Sequence, residues 1–163
     1  MIRILPFLLL VLGAFRGELF LLGRALGPGP DIVGLILCYA GLRLRPFTTL
    51  PVLFLLALLR SAYLPGGLLF HFWVLALVYL LLRPMGRFFV VERLPIQMGL
   101  ALLASMGISA LTALILWEGV LFLPARGVLG FAMTVALAPG VFPLLDFLLP
   151  LRLREAPRKV FAE

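Results

Sequence analysis

Residues 95–117 read PIQMGLALLASMGISALTALILW, twenty-three positions without one charged side chain. An α-helix rises about 1.5 Å per residue, so this stretch reaches across a hydrocarbon layer of about 30 Å. Its surroundings carry the same signature. The chain of 163 residues is 64% hydrophobic, and its mean hydropathy is +1.21. No soluble core absorbs that much apolar surface in a chain this short. The sequence therefore predicts an all-α, polytopic membrane protein.

Working outward from 95–117, five more apolar stretches are bounded by basic or Pro/Gly punctuation. They run from about Ile4 to Gly23, Ile32 to Leu42, Pro46 to Leu59, Leu64 to Leu82 and Gly127 to Leu149. The expectation is six transmembrane helices in one domain over residues 1–150, followed by a basic tail over 151–163. The Ile32–Leu42 and Pro46–Leu59 stretches fall short of the roughly 20 residues a span needs. They read either as a hairpin that partly enters the bilayer or as two crossings helped by tilt or local thinning. Full crossing is preferred. Holding Arg43 and Arg45 at mid-membrane would cost about 2.5–3.5 kcal/mol each on insertion scales.

The basic residues assign the faces. With six crossings, Arg3, Arg43, Arg45, Arg83, Arg87, Arg93, Arg152, Arg154, Arg158 and Lys159 share the side of the N-terminus. Arg24, Arg60 and Arg126 lie on the other side, and Arg16 falls within the first span. Loops rich in Arg and Lys stay in the cytoplasm, so both termini are expected inside. The formal charge of +7 and a pI near 11.1 do not indicate nucleic-acid binding. The charges stand as ones and twos at the ends of apolar runs, which suits anionic membrane lipids. The first apolar stretch reads as a retained helix rather than a cleaved leader, because Ala14-Phe15-Arg16 makes a poor cleavage site.

Helix boundaries are marked where this map needs them. Pro46, Pro95 and Pro65 fall at first-turn positions, where a missing N–H does no harm. Asp31, after Gly27-Pro28-Gly29-Pro30, is placed to cap the second helix. Packing inside a bilayer depends on close approach through small residues. Three stripes at steps of four are expected to face protein: Ala101, Ser105, Ser109 and Ala113; Ala132, Ala136 and Gly140; and, more weakly, Gly13 and Gly17. Pro139 and Pro143 are expected to bend the last helix.

Candidate functional groups are few. Arg16 and Glu18 are ionisable groups within a span, two residues apart, and so do not face each other. With Asp31, Arg60 and Glu118 they form the candidate partner-binding set, an outer polar cluster. The alternative is an internal ion-pair network. Glu118 follows Trp117, an interface anchor, and also reads as a solvated helix end. Asp146 near the end of the last span calls for a partner such as Arg152. His71 stands without Cys, Asp or Glu at ligand spacing and reads as a packing residue, not a metal ligand. Cys38 is the single cysteine and reads as a small apolar residue. The sequence offers no nucleophile with a base, no phosphate-binding glycine loop and no paired acids. It suggests no catalytic function, cofactor or metal.

The order of features resembles the MreD family of bacterial rod-shape proteins. The resemblance rests on Pro30-Asp31 opening the second span and on Arg43 to Pro46 between two short spans. It continues in Leu64-Pro65-Gly66-Gly67-Leu68 before the fourth span and in Phe88-Phe89-Val90-Val91-Glu92-Arg93-Leu94-Pro95 after it. Pro143-Leu144-Leu145-Asp146 then precedes the basic tail. It covers about the whole chain. Many family members carry an acid at the end of the third span, where this chain has Leu58-Leu59-Arg60-Ser61. No role for that acid transfers.

The resemblance implies a non-catalytic multi-pass scaffold of the bacterial inner membrane. Its partners would be MreC and, through it, the cell-wall glycosyltransferase/transpeptidase pair and the MreB filament. It also implies a fold similar to the substrate-binding subunits of energy-coupling-factor transporters. A vitamin-transporter subunit is the alternative function, requiring an outward cavity with convergent polar groups.

Overall fold

A computed structural model describes residues 30–61, 66–88, 93–116 and 125–148. Within them lie five α-helices and no strand: α1 (Ile32–Arg43), α2 (Pro46–Ser61), α3 (Gly67–Phe88), α4 (Leu94–Leu116) and α5 (Ala125–Leu148). Arg16, Glu18, Glu118, Gly13, Gly17 and the tail fall outside the described residues.

Three helices are long and apolar enough to cross a membrane, over Gly67–Gly86, Leu94–Ile115 and Val128–Leu148. Helix α1 has 12 residues and α2 has 16. At about 1.5 Å per residue they are roughly 18 and 24 Å long.

The short α1 lies at the centre. Every residue from Val33 to Gly41 is buried, and the helix packs against α2, α3, α4 and α5. Its sequence, VGLILCYAG, is apolar or small on every face, so no side of the helix needs water and the surrounding helices can enclose it.

Around α1 the other helices present one-sided faces. Helix α3 buries His71, Val74, Leu75, Val78, Tyr79 and Leu82, spaced at three and four along a single stripe. Helix α4 buries Gln97, Leu100, Ala101, Ala104, Ser105 and Ile108, and α5 buries Thr134, Ala138, Phe142 and Leu145. The outer faces are also apolar. Phe47 is 88% exposed, Phe147 85% and Trp73 64%. Large exposed aromatic and aliphatic side chains on all sides are what a bundle needs when its solvent is lipid.

The helix starts follow their capping residues. Asp31 caps α1 by accepting from the Gly34 backbone N–H at 2.8 Å. Pro46 is the first residue of α2, and Pro95 is the second of α4. Helix α3 opens on Gly66 and Gly67, with φ of 115° and 75°. That backbone region favours glycine. A Cβ at Gly66 would also collide with the Phe70 ring. Helix α3 continues past the expected end at Leu82, through Arg83 and Pro84 to Phe88. Hydropathy marks where lipid ends, and the backbone ladder continues beyond it. Helix α5 likewise runs unbroken through Pro139 and Pro143.

Two expected packing stripes need correction. In α5, Ala132, Ala136 and Gly140 are exposed, and the buried line is Gly130, Thr134 and Ala138. An offset of two residues turns a helix by about 200°, so the predicted stripe has the right step on the wrong face. Both series are small enough for close approach. The Thr134 hydroxyl breaks the tie, because it accepts from the Asp31 N–H across the interface. In α4, Ala101 and Ser105 are buried, Ala113 is half-buried and Ser109 is exposed. A strict step of four drifts about 40° per step on a 3.6-residue helix, so the series rotates out of the interface. Ala104 and Ile108 continue the buried face instead.

Candidate functional site

The polar groups of the bundle gather at the two ends of α1. At its N-terminus, Asp31 uses both carboxylate oxygens. Oδ1 accepts from the Gly34 N–H at 2.8 Å, and Oδ2 accepts from the Ser105 hydroxyl of α4 at 2.8 Å. The Asp31 backbone N–H donates to Thr134 Oγ1 of α5 at 2.7 Å, and that hydroxyl donates onward to the Gly130 carbonyl at 2.8 Å. One capping residue thus ties three helices.

The site depends on a missing side chain. A Cβ at Gly34 would lie 2.7 Å from Asp31 Oδ2 and 3.3 Å from the Ser105 Cα. Only glycine lets the first turn of α1 approach α4 closely enough for the carboxylate to reach Ser105. Ser105 lies near the middle of α4 (Leu94–Leu116), and Thr134 lies in the middle third of α5 (Ala125–Leu148). The start of α1, with its positive dipole end, is therefore held partway along its neighbours. Asp31 meets that positive end with negative charge, and both oxygens are hydrogen-bonded, which offsets the cost of holding an anion there.

At the other end of α1, the Tyr39 hydroxyl donates to Asp146 Oδ1 of α5 at 2.9 Å. The Tyr39 ring meets Phe142 edge-on, with centroids 5.7 Å apart. A partner such as Arg152 was expected for Asp146; Arg152 lies outside the described residues, and Tyr39 is a partner within them. Nearby on α3, an Arg83 amine donates to the Tyr79 hydroxyl, and the guanidinium sits 5.7 Å from the centre of that ring.

The sequence-predicted candidates separate in space. Of the partner-binding set, the structure describes Asp31 and Arg60. Asp31 is half-buried among helices, whereas Arg60 is half-buried in the last turn of α2. No described contact joins the two. His71 is fully buried, edge-on to Phe70, and Cys38 is buried in α1. Among the described residues no three His, Cys, Asp or Glu side chains converge as a metal site. Thr134, Tyr39 and Gly34 were not singled out in the sequence. A lone Thr at the small-residue step and a Gly three residues after a cap were the available signals.

Chemically the arrangement is a lock: it fixes where a short buried helix begins and ends. Among the described residues, the class it defines is an all-helical protein with three helices long and apolar enough to span a membrane. The chain matches no protein-family model, no curated protein and no solved structure at significant similarity.

Proposed function

We propose that this chain is a non-catalytic scaffold of the MreD type in the bacterial inner membrane. It has six crossings with both termini inside, and an architecture similar to the substrate-binding subunits of energy-coupling-factor transporters. It binds MreC and, through it, serves the cell-wall glycosyltransferase/transpeptidase pair and MreB in peptidoglycan synthesis and cell-shape maintenance.

One observation carries this reading. The polar side chains at the two ends of α1, namely Asp31, Ser105, Thr134, Tyr39 and Asp146, are engaged in helix-to-helix ties. The outward faces of α2 to α5 are rows of apolar residues. A body braced inside holds a fixed exterior against which another membrane helix can pack. The Pro30-Asp31 pair and the Pro143 to Asp146 segment, which carry the resemblance, bear the two anchors of α1. Those features therefore have a structural job.

Co-purification with MreC from membranes tests the proposal. Capture of MreC is expected. A clean failure, together with a tightly retained small molecule, would overturn the scaffold in favour of a solute-binding subunit. Glu18→Ala and Arg60→Ala are expected to weaken capture with normal membrane insertion. Unchanged capture would remove those two residues from the docking surface.

A further inference from the structure

At the end of α1 opposite Asp31, turns that carry basic residues pack together. A Cβ at Gly41 would lie 3.2 Å from the Leu82 Cβ and 4.0 Å from the Arg83 backbone nitrogen. One at Gly86 would lie 3.6 Å from the Leu42 Cα. The last turn of α1, which carries Arg43, is thus pressed against the stretch of α3 that carries Arg83 and Arg87. Arg45 follows at once, its carbonyl accepting from the Thr48 and Thr49 N–H groups as α2 begins. Asp146 is the carboxylate at this end among the described residues, and it already accepts from Tyr39.

Within this group Arg43 is distinctive. It is half-buried, and its Nε is shut off from solvent without a hydrogen-bond partner in the protein. A guanidinium partly withdrawn from water is costly to leave without a counter-charge, and an oxyanion that reaches its terminal nitrogens is the natural complement. The neighbouring surface suits an oxyanion that carries acyl chains. Helix α2 starts directly after Arg45 and exposes Phe47, Leu50, Phe54 and Leu58 along one face.

We propose that Arg43 and Arg45 bind the phosphate of an anionic phospholipid, whose acyl chain lies along the Phe47–Leu58 face of α2. This site is independent of the MreC reading and needs only that the helices are embedded in lipid. It distinguishes one bound lipid from the diffuse attraction of basic loops to a charged membrane.

The test uses the full chain purified in neutral detergent, with phosphatidylglycerol, phosphatidylcholine or inorganic phosphate added. Native mass spectrometry reads bound lipid, and the thermal unfolding midpoint reads stabilisation. Phosphatidylglycerol is expected to remain bound and raise the midpoint, whereas phosphatidylcholine and inorganic phosphate do neither. Arg43→Gln is expected to lower phosphatidylglycerol affinity about tenfold, the loss of one charge-assisted hydrogen bond. Arg93→Gln, exposed at the start of α4, leaves it unchanged. If Arg43→Gln fails to fold, Arg43→Lys and Arg45→Gln replace it, each expected to weaken binding. Equal retention of phosphatidylcholine, an equal effect of inorganic phosphate, or wild-type affinity in the Arg43 or Arg45 variants would overturn the site.

Discussion

Asp31 is the residue on which three hydrogen bonds from three helices converge. It caps α1, accepts from Ser105 and offers its own N–H to Thr134. Asp31→Ala removes a cap worth about 1 kcal/mol and strands a serine hydroxyl at a cost of about 1–3 kcal/mol. Thermal unfolding in detergent should show a loss of about 2–4 kcal/mol, with Asp31→Asn milder because the amide oxygen still accepts. A melting curve like that of the unsubstituted protein would show that the carboxylate is not holding α1. Thr134 gives a cleaner probe. Thr134→Val keeps the shape and loses both hydrogen bonds, for about 1–3 kcal/mol. Thr134→Ser keeps both and should stay near wild type. A loss for Thr134→Ser with none for Thr134→Val would place the role in the methyl group instead.

For the elements, what matters is which face each helix presents. Helix α1 is enclosed, and its Cys38 is fully buried. A membrane-permeant maleimide should leave Cys38 unmodified in the folded protein and label it after denaturation. Ready labelling of the native state would mean that α1 is not the core. The phase of α5 has its own test. Ala138 is buried and Ala136 exposed. Ala138→Leu overpacks the interface and should cost about 1–3 kcal/mol, whereas Ala136→Leu points outward and should be close to neutral. The opposite order would restore the Ala132, Ala136 and Gly140 stripe. Glycines divide in the same way. Gly34→Ala meets Asp31 Oδ2 and must push α1 off α4, while a Cβ at Gly99 meets nothing within 4 Å. Gly99→Ala should therefore be neutral or gain up to about 1 kcal/mol from helix propensity.

For the whole molecule, the proposed map of six crossings puts both termini on the cytoplasmic face. Reporter tags fused at each end should give the same cytoplasmic signal. A periplasmic signal from either one would reverse the proposed docking faces. The described fold is consistent with this map in one respect. Arg43 and Arg83, assigned to one side by charge counting, belong to neighbouring turns of α1 and α3 that are in contact.

The sequence by itself determined the helical, lipid-facing character of the chain and the position of most described helix ends. Hydropathy, proline and the cap at Asp31 are local signals, and local signals survive without a fold. It did not determine that the short α1 is the centre. A run such as VGLILCYAG is equally apolar whether lipid or protein surrounds it, and only the surrounding helices distinguish the two. Nor did it determine the phase of α5, where two small-residue series differ by a threonine. The pairings of Asp31 with Ser105 and of Tyr39 with Asp146 join residues 74 and 107 positions apart. No periodicity reaches that far. They exist because the tertiary packing leaves each of these polar groups beside another instead of in lipid, where an unmet hydrogen bond is costly.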